Sequence, residues 1–141
     1  VRYLIEAFKK VNTDKKLVMA GGSSDTQGFM NELIGLARDD ERILFTGFVQ
    51  GQIKEELYCN AYIYTLPSDL EGMPLSLLEA MSYGNCCLTS DIPECADVVE
   101  NNAVIFQHGK KRRNSTPYRS CEIGRNHQTV RGSKWLAHSI N

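Results

Sequence analysis

Over residues 1–109 the apolar positions switch repeatedly between a helical and a strand-like period. From Arg2 to Val11, the side chains of Leu4, Ile5, Ala7, Phe8 and Val11 fit one face of a helix. Asn12 to Lys16 is a polar turn, and Leu17-Val18-Met19-Ala20, closed by Gly21-Gly22, predicts a short strand buried in a parallel sheet. Phe29 to Ala37 predicts a helix, Ile43 to Thr46 a strand ended by Gly47, Ile53 to Asn60 a short helix, and Ala61 to Leu66 a strand stopped by Pro67. Leu75 to Tyr83 predicts a helix with Pro74 at its first position and Gly84 just past its end. Cys86 to Thr89, Ala96 to Glu100 and Val104 to Phe106 predict a strand, a helical turn and a last short strand.

This alternation implies an α/β domain of the Rossmann-like kind, a parallel sheet with helices on both faces and right-handed crossovers. Ligands of such sheets bind beyond the C-terminal ends of the strands. The loops that matter are then Gly21 to Asp25, Gly47 to Gln52, Pro67 to Met73 and Ser90 to Glu94.

Residues 110–141 depart from the pattern. Lys110-Lys111-Arg112-Arg113 opens a stretch rich in Ser, Thr, Asn and Arg, with few large apolar residues and no sustained period. Residues 1–109 hold 8 Lys and Arg against 16 Asp and Glu, whereas residues 110–141 hold 8 against the single Glu122. The expectation is a domain over 1–109 followed by an irregular, disordered basic tail, or by a non-native segment from a cloning scar or shifted reading frame. Its charge attracts nucleic acid electrostatically, but no recognition motif accompanies it, so no specific nucleic-acid partner is expected.

Length and composition fit one globular domain: 141 residues, 42% hydrophobic and 23% charged. No apolar run approaches the roughly 20 residues needed to span a bilayer. The five cysteines (Cys59, Cys86, Cys87, Cys95, Cys121) are odd in number and lack CxxC spacing. They read as reduced core residues rather than metal ligands or disulfides, which favours a cytoplasmic setting. The chain starts at Val1 with no initiator Met and no signal-peptide pattern, as a fragment or processed product would.

The chemistry concentrates in Pro67-Ser68-Asp69-Leu70-Glu71-Gly72-Met73-Pro74-Leu75-Ser76-Leu77-Leu78-Glu79-Ala80-Met81. A strand, a loop and a helix start follow one another, which puts unpaired helix N–H groups and a positive dipole end at the ligand edge. An anion such as a pyrophosphate suits that position, and Gly72 permits close approach of backbone. Glu71 in the loop can accept hydrogen bonds from sugar hydroxyls. Glu79, roughly one and a half turns into the helix, shares a face with Ser76 and Tyr83, and its two oxygens suit the vicinal hydroxyls of a ribose. The plainer alternatives are an acidic residue that only favours the helix dipole at Glu71 and a solvated carboxylate at Glu79.

Glu71-x7-Glu79 within Pro-Ser-x-x-Glu-Gly-x-Pro-x-x-x-x-Glu-Ala-Met-x-x-Gly resembles the signature of family 4-type retaining glycosyltransferases, which have two Rossmann-like domains. Tyr3 to Phe8, Leu17 to Gly22, Ile43 to Val49 and Thr89 to Glu94 resemble further elements of that family's C-terminal, donor-binding domain, in order, over about residues 1–109. The resemblance implies a nucleoside-diphosphate sugar as donor substrate, transfer with retention, and neither cofactor nor metal. It implies that Glu71 is the catalytic-site contact to the donor sugar and Glu79 the contact to ribose. Gly72, Met73, the amides of Leu75 and Ser76, and Gly21 would line the diphosphate, with Phe48 and Val49 near the base.

Departures from the family pattern accompany it. Pro74 stands where many members have glycine and offers no N–H. The strand whose Gly-Arg and following Lys neutralise the diphosphate, the N-terminal acceptor-binding domain and the closing helix have no counterpart in the sequence. The chain alone is therefore expected to lack efficient catalysis, while a full-length enzyme would pair it with an acceptor domain and sit peripherally on a membrane. The other readings are an inactive fragment, a non-enzymatic nucleotide-binding module, and a sugar-nucleotide epimerase. The last would need extra acid–base groups, and His108, His127 and His138 lie at or beyond the end of the expected sheet.

Overall fold

The computed structural model describes residues 1–22, 27–107 and 135–140. Over these, helices and strands alternate as α1 (Arg2–Phe8), β1 (Lys16–Gly21), α2 (Gln27–Ala37), β2 (Ile43–Gly47), α3 (Gly51–Cys59), β3 (Ala61–Leu66), α4 (Leu75–Ser82), β4 (Cys87–Ser90), α5 (Pro93–Val99), β5 (Val104–Phe106) and β6 (Trp135–Ile140). The strands form one sheet in the order β2-β1-β6-β3-β4-β5, with every neighbouring pair parallel. Helices flank it, giving the α/β architecture that the alternating periods imply.

Two apolar clusters carry the packing. In the first, Ile5 and Phe8 of α1 and Leu33 and Ala37 of α2 cover Leu17 and Met19 of β1 and Ile43 of β2. In the second, Tyr58 of α3, Leu77 and Ala80 of α4, and Cys95 and Val99 of α5 cover Tyr64 and Leu66 of β3 and Cys87 of β4. Val18, pointing to the sheet face opposite Leu17 and Met19, is buried as well, as expected of an interior parallel strand.

Local signals set several boundaries. Helix α4 ends where Gly84, at φ 73°, donates to the Met81 carbonyl at 2.9 Å and Asn85 donates to the Ala80 carbonyl at 3.1 Å. That is the Schellman arrangement, which glycine adopts without a Cβ penalty. Helix α5 starts at Pro93, three residues before the expected Ala96, because proline suits the first helical position and Glu94 favours the positive end of the dipole. The loop expected over Ser90 to Glu94 thereby shrinks to Asp91 and Ile92. At the N-terminal edge of the sheet, Arg42 pairs with Asp40 at 2.7 Å and donates to the carbonyls of Val11 at 2.8 Å and Thr13 at 3.1 Å. Its guanidinium also lies over the Phe8 ring, so one side chain fastens the α1–β1 turn to the start of β2.

The tail expectation needs correction at one place. Residues 135–140 are not irregular: they form β6, which pairs with β1 on one side and β3 on the other. The cause is the topology. Passing from β2 to β3 the chain crosses over β1 and leaves one strand position open beside it, and the inner edges of β1 and β3 would otherwise hold unpaired backbone groups, each costing about 1–3 kcal/mol if buried. His138 consequently sits within the sheet, in register with Met19 and Thr65, rather than beyond its end. Residues 108–134 and 141, with the basic cluster, Cys121, His108 and His127, lie outside the described residues.

The cysteine reading also holds only in part. Cys87 and Cys95 are buried thiols, Cys86 is half-buried, and Cys59, at the end of α3, is exposed rather than in the core. A strand interior pairs on both sides, so proline at Ala137, which faces Val18 and Tyr64, should cost about 3 kcal/mol or more. The urea midpoint of Ala137→Pro measures this, and an unchanged midpoint would contradict the placement of β6. Gly84→Ala should cost about 1–2 kcal/mol by the same measurement, because alanine is strained at positive φ.

Candidate functional site

Because all six strands run the same way, their C-terminal ends open on one edge of the sheet. Gly21 ends β1 at φ 118°, and Gly47 ends β2 at φ 66°. Phe48 and Val49 follow β2 and lead into α3. Glu71, Gly72 and Met73 lie in the loop between β3 and α4, and Leu75, Ser76 and Glu79 lie in α4 itself. The residues singled out by the sequence therefore share the C-terminal edge, in two groups separated by the position of β6. Asp25 and its neighbours Ser23, Ser24 and Thr26 lie outside the described residues.

The loop that carries Glu71 is anchored from β4. Thr89 donates its hydroxyl to the Leu66 carbonyl at 3.2 Å, and Ser90 donates to the Ser68 carbonyl at 2.6 Å. Both residues are fully buried, so these bonds form where water does not compete. The sequence places Thr89 at the end of a strand and Ser90 at the start of the following loop but does not disclose this anchoring role. Two polar residues closing an apolar strand were the available signal.

The start of α4 differs from an idealised anion site. Pro74 is the cap residue, with no side-chain capping bond, and its carbonyl accepts from the N–H groups of Leu77 at 3.0 Å and Leu78 at 3.1 Å. The Leu75 N–H is turned back onto the Met73 carbonyl at 2.8 Å, so the expected pair of free amides at Leu75 and Ser76 reduces to Ser76. The Ser76 N–H has no acceptor among the described residues, and the Ser76 Oγ is buried without a hydrogen-bond partner. Unmet donors and a buried hydroxyl thus meet at the positive end of the helix.

The two glutamates stand in different settings. The Glu71 carboxylate has no hydrogen-bond or ion-pair partner among the described residues, and it lies on the α5 side. Burial pushes the Cys95 thiol up, and the Glu71 charge acts on it in the same direction. Glu79 lies on the α3 side. Its Oε1 accepts from the Lys54 ammonium at 2.8 Å and its Oε2 from the Tyr58 hydroxyl at 3.2 Å. The single Tyr58 hydroxyl proton is shared with the Ser76 carbonyl, also at 3.2 Å, and the ring stacks on Tyr83 with centroids 5.3 Å apart. The helical face formed by Ser76, Glu79 and Tyr83 is therefore the one that meets α3. Burial first, and the Glu79 charge with it, holds the Tyr58 hydroxyl well above the ordinary tyrosine range, while the hydrogen bond to Glu79 raises the Lys54 ammonium. Lys54 and Tyr58 are the site neighbours that sequence reasoning missed. Their i,i+4 spacing puts them on one face of α3, but nothing local says which helix that face meets.

Gly72 is exposed, its φ is outside the left-handed region, and an added Cβ would meet nothing within 4 Å. The fold itself does not demand glycine there. In and beside its loop Leu70, Met73 and Leu75 are between 62% and 81% exposed, and Phe48, in the other group, is 76% exposed, so large apolar side chains stand in both groups without belonging to either core. No helix among the described residues is long and apolar enough to cross a membrane.

Comparison with known proteins places the chain in a family. Residues 1–113 match the family described as glycosyl transferases group 1. An uncharacterized glycosyltransferase of Methanocaldococcus jannaschii is 29% identical over 103 residues, covering 72% of this chain and 26% of that protein. The lipopolysaccharide 1,6-galactosyltransferase of Salmonella typhimurium is 31% identical over 96 residues, covering 64% of this chain and 26% of its own length. The enzyme of the same name from Escherichia coli is 28% identical over 117 residues, 77% of this chain and 32% of that protein. The chain thus spans 26% to 32% of the length of these curated relatives. The match over residues 1–113 takes in the whole candidate edge, and the chain belongs to the group 1 glycosyl transferases, a family whose chemistry is glycosyl transfer.

Proposed function

We propose that residues 1–109 form the donor-binding domain of a retaining glycosyltransferase that uses a nucleoside-diphosphate sugar and no metal. The observation that carries this is the unpartnered Glu71 carboxylate set before a helix start where the Ser76 N–H is unmet. A sugar bearing hydroxyl donors, joined to an anionic diphosphate, satisfies both at once. In this reading Glu71 contacts the transferred sugar and Glu79 the ribose. Ser76, with Gly72 and Met73, receives the diphosphate, Leu75 adds an apolar wall, Gly21 borders the far side, and Phe48 and Val49 approach the base. Galactose is the first sugar to try, since two of the relatives are named as galactosyltransferases. Those relatives are three to four times longer than the aligned part of this chain, which supports a further domain for the acceptor. The exposed apolar side chains of Phe48 in one group and of Leu70, Met73 and Leu75 in the other suit closure of such a domain over the edge. In this reading the chain alone binds donor without transferring it efficiently.

Retention requires the acceptor hydroxyl to attack the anomeric carbon from the face that the diphosphate leaves, its proton passing to the departing diphosphate oxygen as the new C–O bond forms. As the glycosidic bond to the diphosphate weakens, positive charge grows at the anomeric carbon, and the departing diphosphate on the same face offsets it. The Ser76 N–H and the α4 dipole stabilise the negative charge that the leaving group gains. Calorimetric titration with UDP, GDP and ADP should give binding of at least one. Glu79→Ala should weaken that binding about 10- to 100-fold, the range of a lost hydrogen bond to a charged group. Glu71→Gln should leave diphosphate binding in place and abolish the preference for the sugar nucleotide over the bare diphosphate. Gly72→Ala should fold normally, since its Cβ has open space, yet bind less tightly if backbone meets ligand there. Absence of binding to all three nucleotides would overturn the proposal.

A further inference from the structure

Glu79 is a held carboxylate rather than a free one. The Lys54 ammonium reaches one oxygen at 2.8 Å and the Tyr58 hydroxyl the other at 3.2 Å. Lys54 and Tyr58 lie one turn apart on α3, so both approach from the same helix. The Tyr58 ring is buried, stacked on Tyr83 at 5.3 Å and 17°, and tilted against Tyr64 at 5.8 Å and 45°. A ring confined on two sides cannot swing, so the position of its hydroxyl oxygen is fixed, with its one proton between Glu79 Oε2 and the Ser76 carbonyl, each at 3.2 Å.

An ionised carboxylate has about four lone-pair sites, two on each oxygen. Here one site on each oxygen is occupied from within the protein, and one on each remains, on a side chain that is 44% exposed. Two acceptor sites on neighbouring oxygens match the two donors of a vicinal diol. An unheld glutamate would lose rotamer freedom on binding, and a carboxylate already oriented avoids part of that cost. The Lys54 side chain is 39% exposed, where an ion pair adds little to stability. Its effect is thus directional, and its removal should leave the fold intact.

We propose that Lys54 and Tyr58 are positioning residues of the nucleotide site, which set the plane of the Glu79 carboxylate so that its two remaining acceptor positions meet the 2′- and 3′-hydroxyls of ribose. This rests on Glu79 as the ribose contact. The test compares affinity for UDP, GDP and ADP with affinity for their 2′,3′-dideoxy counterparts, using the full chain and the variants Lys54→Met, Lys54→Arg and Tyr58→Phe. The unsubstituted chain should prefer the ribonucleotide about 10-fold or more. Lys54→Met and Tyr58→Phe should each reduce ribonucleotide affinity about 3- to 10-fold while dideoxynucleotide affinity stays constant. Lys54→Arg should recover most of the preference lost in Lys54→Met, and the thermal midpoint of both Lys54 variants should be unchanged. Equal losses for both nucleotide types, no loss in either variant, or tighter binding by Lys54→Met, the result of a pair that shields Glu79, would each overturn the positioning role while leaving the site reading intact. Nucleotide binding with no ribose preference in the unsubstituted chain would remove the ribose role of Glu79 and this proposal with it. No nucleotide binding at all would remove the whole site.

Discussion

Between β1 and β3 the sheet has a gap one strand wide, and every backbone N–H and C=O facing that gap needs a partner. The rest of the structure depends on how it is filled. On one side β1 and β2 share a core with α1 and α2, and on the other β3 and β4 share a core with α3, α4 and α5. Strand β6 joins the two by pairing with both inner edges. Adjacent strands lie about 4.8 Å apart, so β6 also fixes the spacing between the group at Gly21, Phe48 and Val49 and the group from Glu71 to Glu79. The width of the candidate site is thereby set by a segment that contributes none of its side chains to the argument for that site.

The second constraint is that α3 belongs to both groups. It begins directly after Phe48 and Val49, yet its Tyr58 is part of the core under α4. The short connection from β2 thus delivers Lys54 and Tyr58 to Glu79 across the gap. Glu71 receives no such support. Its loop is fixed at the root by Thr89 and Ser90, while its carboxylate stays open. One acidic group is oriented in advance and the other is left available. That division suits an invariant ribose, which rewards rigidity, and a sugar that the reaction must displace.

Much of this was readable along the chain because it is local. The run Leu17 to Ala20 is apolar throughout and closed by Gly21-Gly22, and it became a strand buried on both faces. Pro74 and Gly84 bracketed α4 for steric reasons that act within a few residues. Three features were not readable, and each is non-local. Trp135 to Ile140 has neither an alternating nor a continuous apolar pattern, and it becomes a strand because a slot at the other end of the sequence requires one. The Lys54–Glu79 pair joins residues 25 apart on different helices, which no spacing rule encodes. The Leu75 amide looked free from its place at a helix start, but the bend at Met73 and Pro74 turns it onto a neighbouring carbonyl. Cys59 shows the reverse case, an apolar residue assigned to the core that a short helix ends by leaving exposed.

The central claim is that the edge running from Glu71 to Glu79 receives a nucleoside diphosphate, with α3 holding the second glutamate in place. Backbone hydrogen exchange, followed by mass spectrometry with and without saturating UDP, GDP and ADP in parallel, reports on that edge peptide by peptide. The account predicts that at least one nucleotide slows exchange over residues 68–80 and 48–58, with little change at the opposite edge around Thr13 and Arg42. Protection confined to other segments, or exchange that no nucleotide alters, would contradict it.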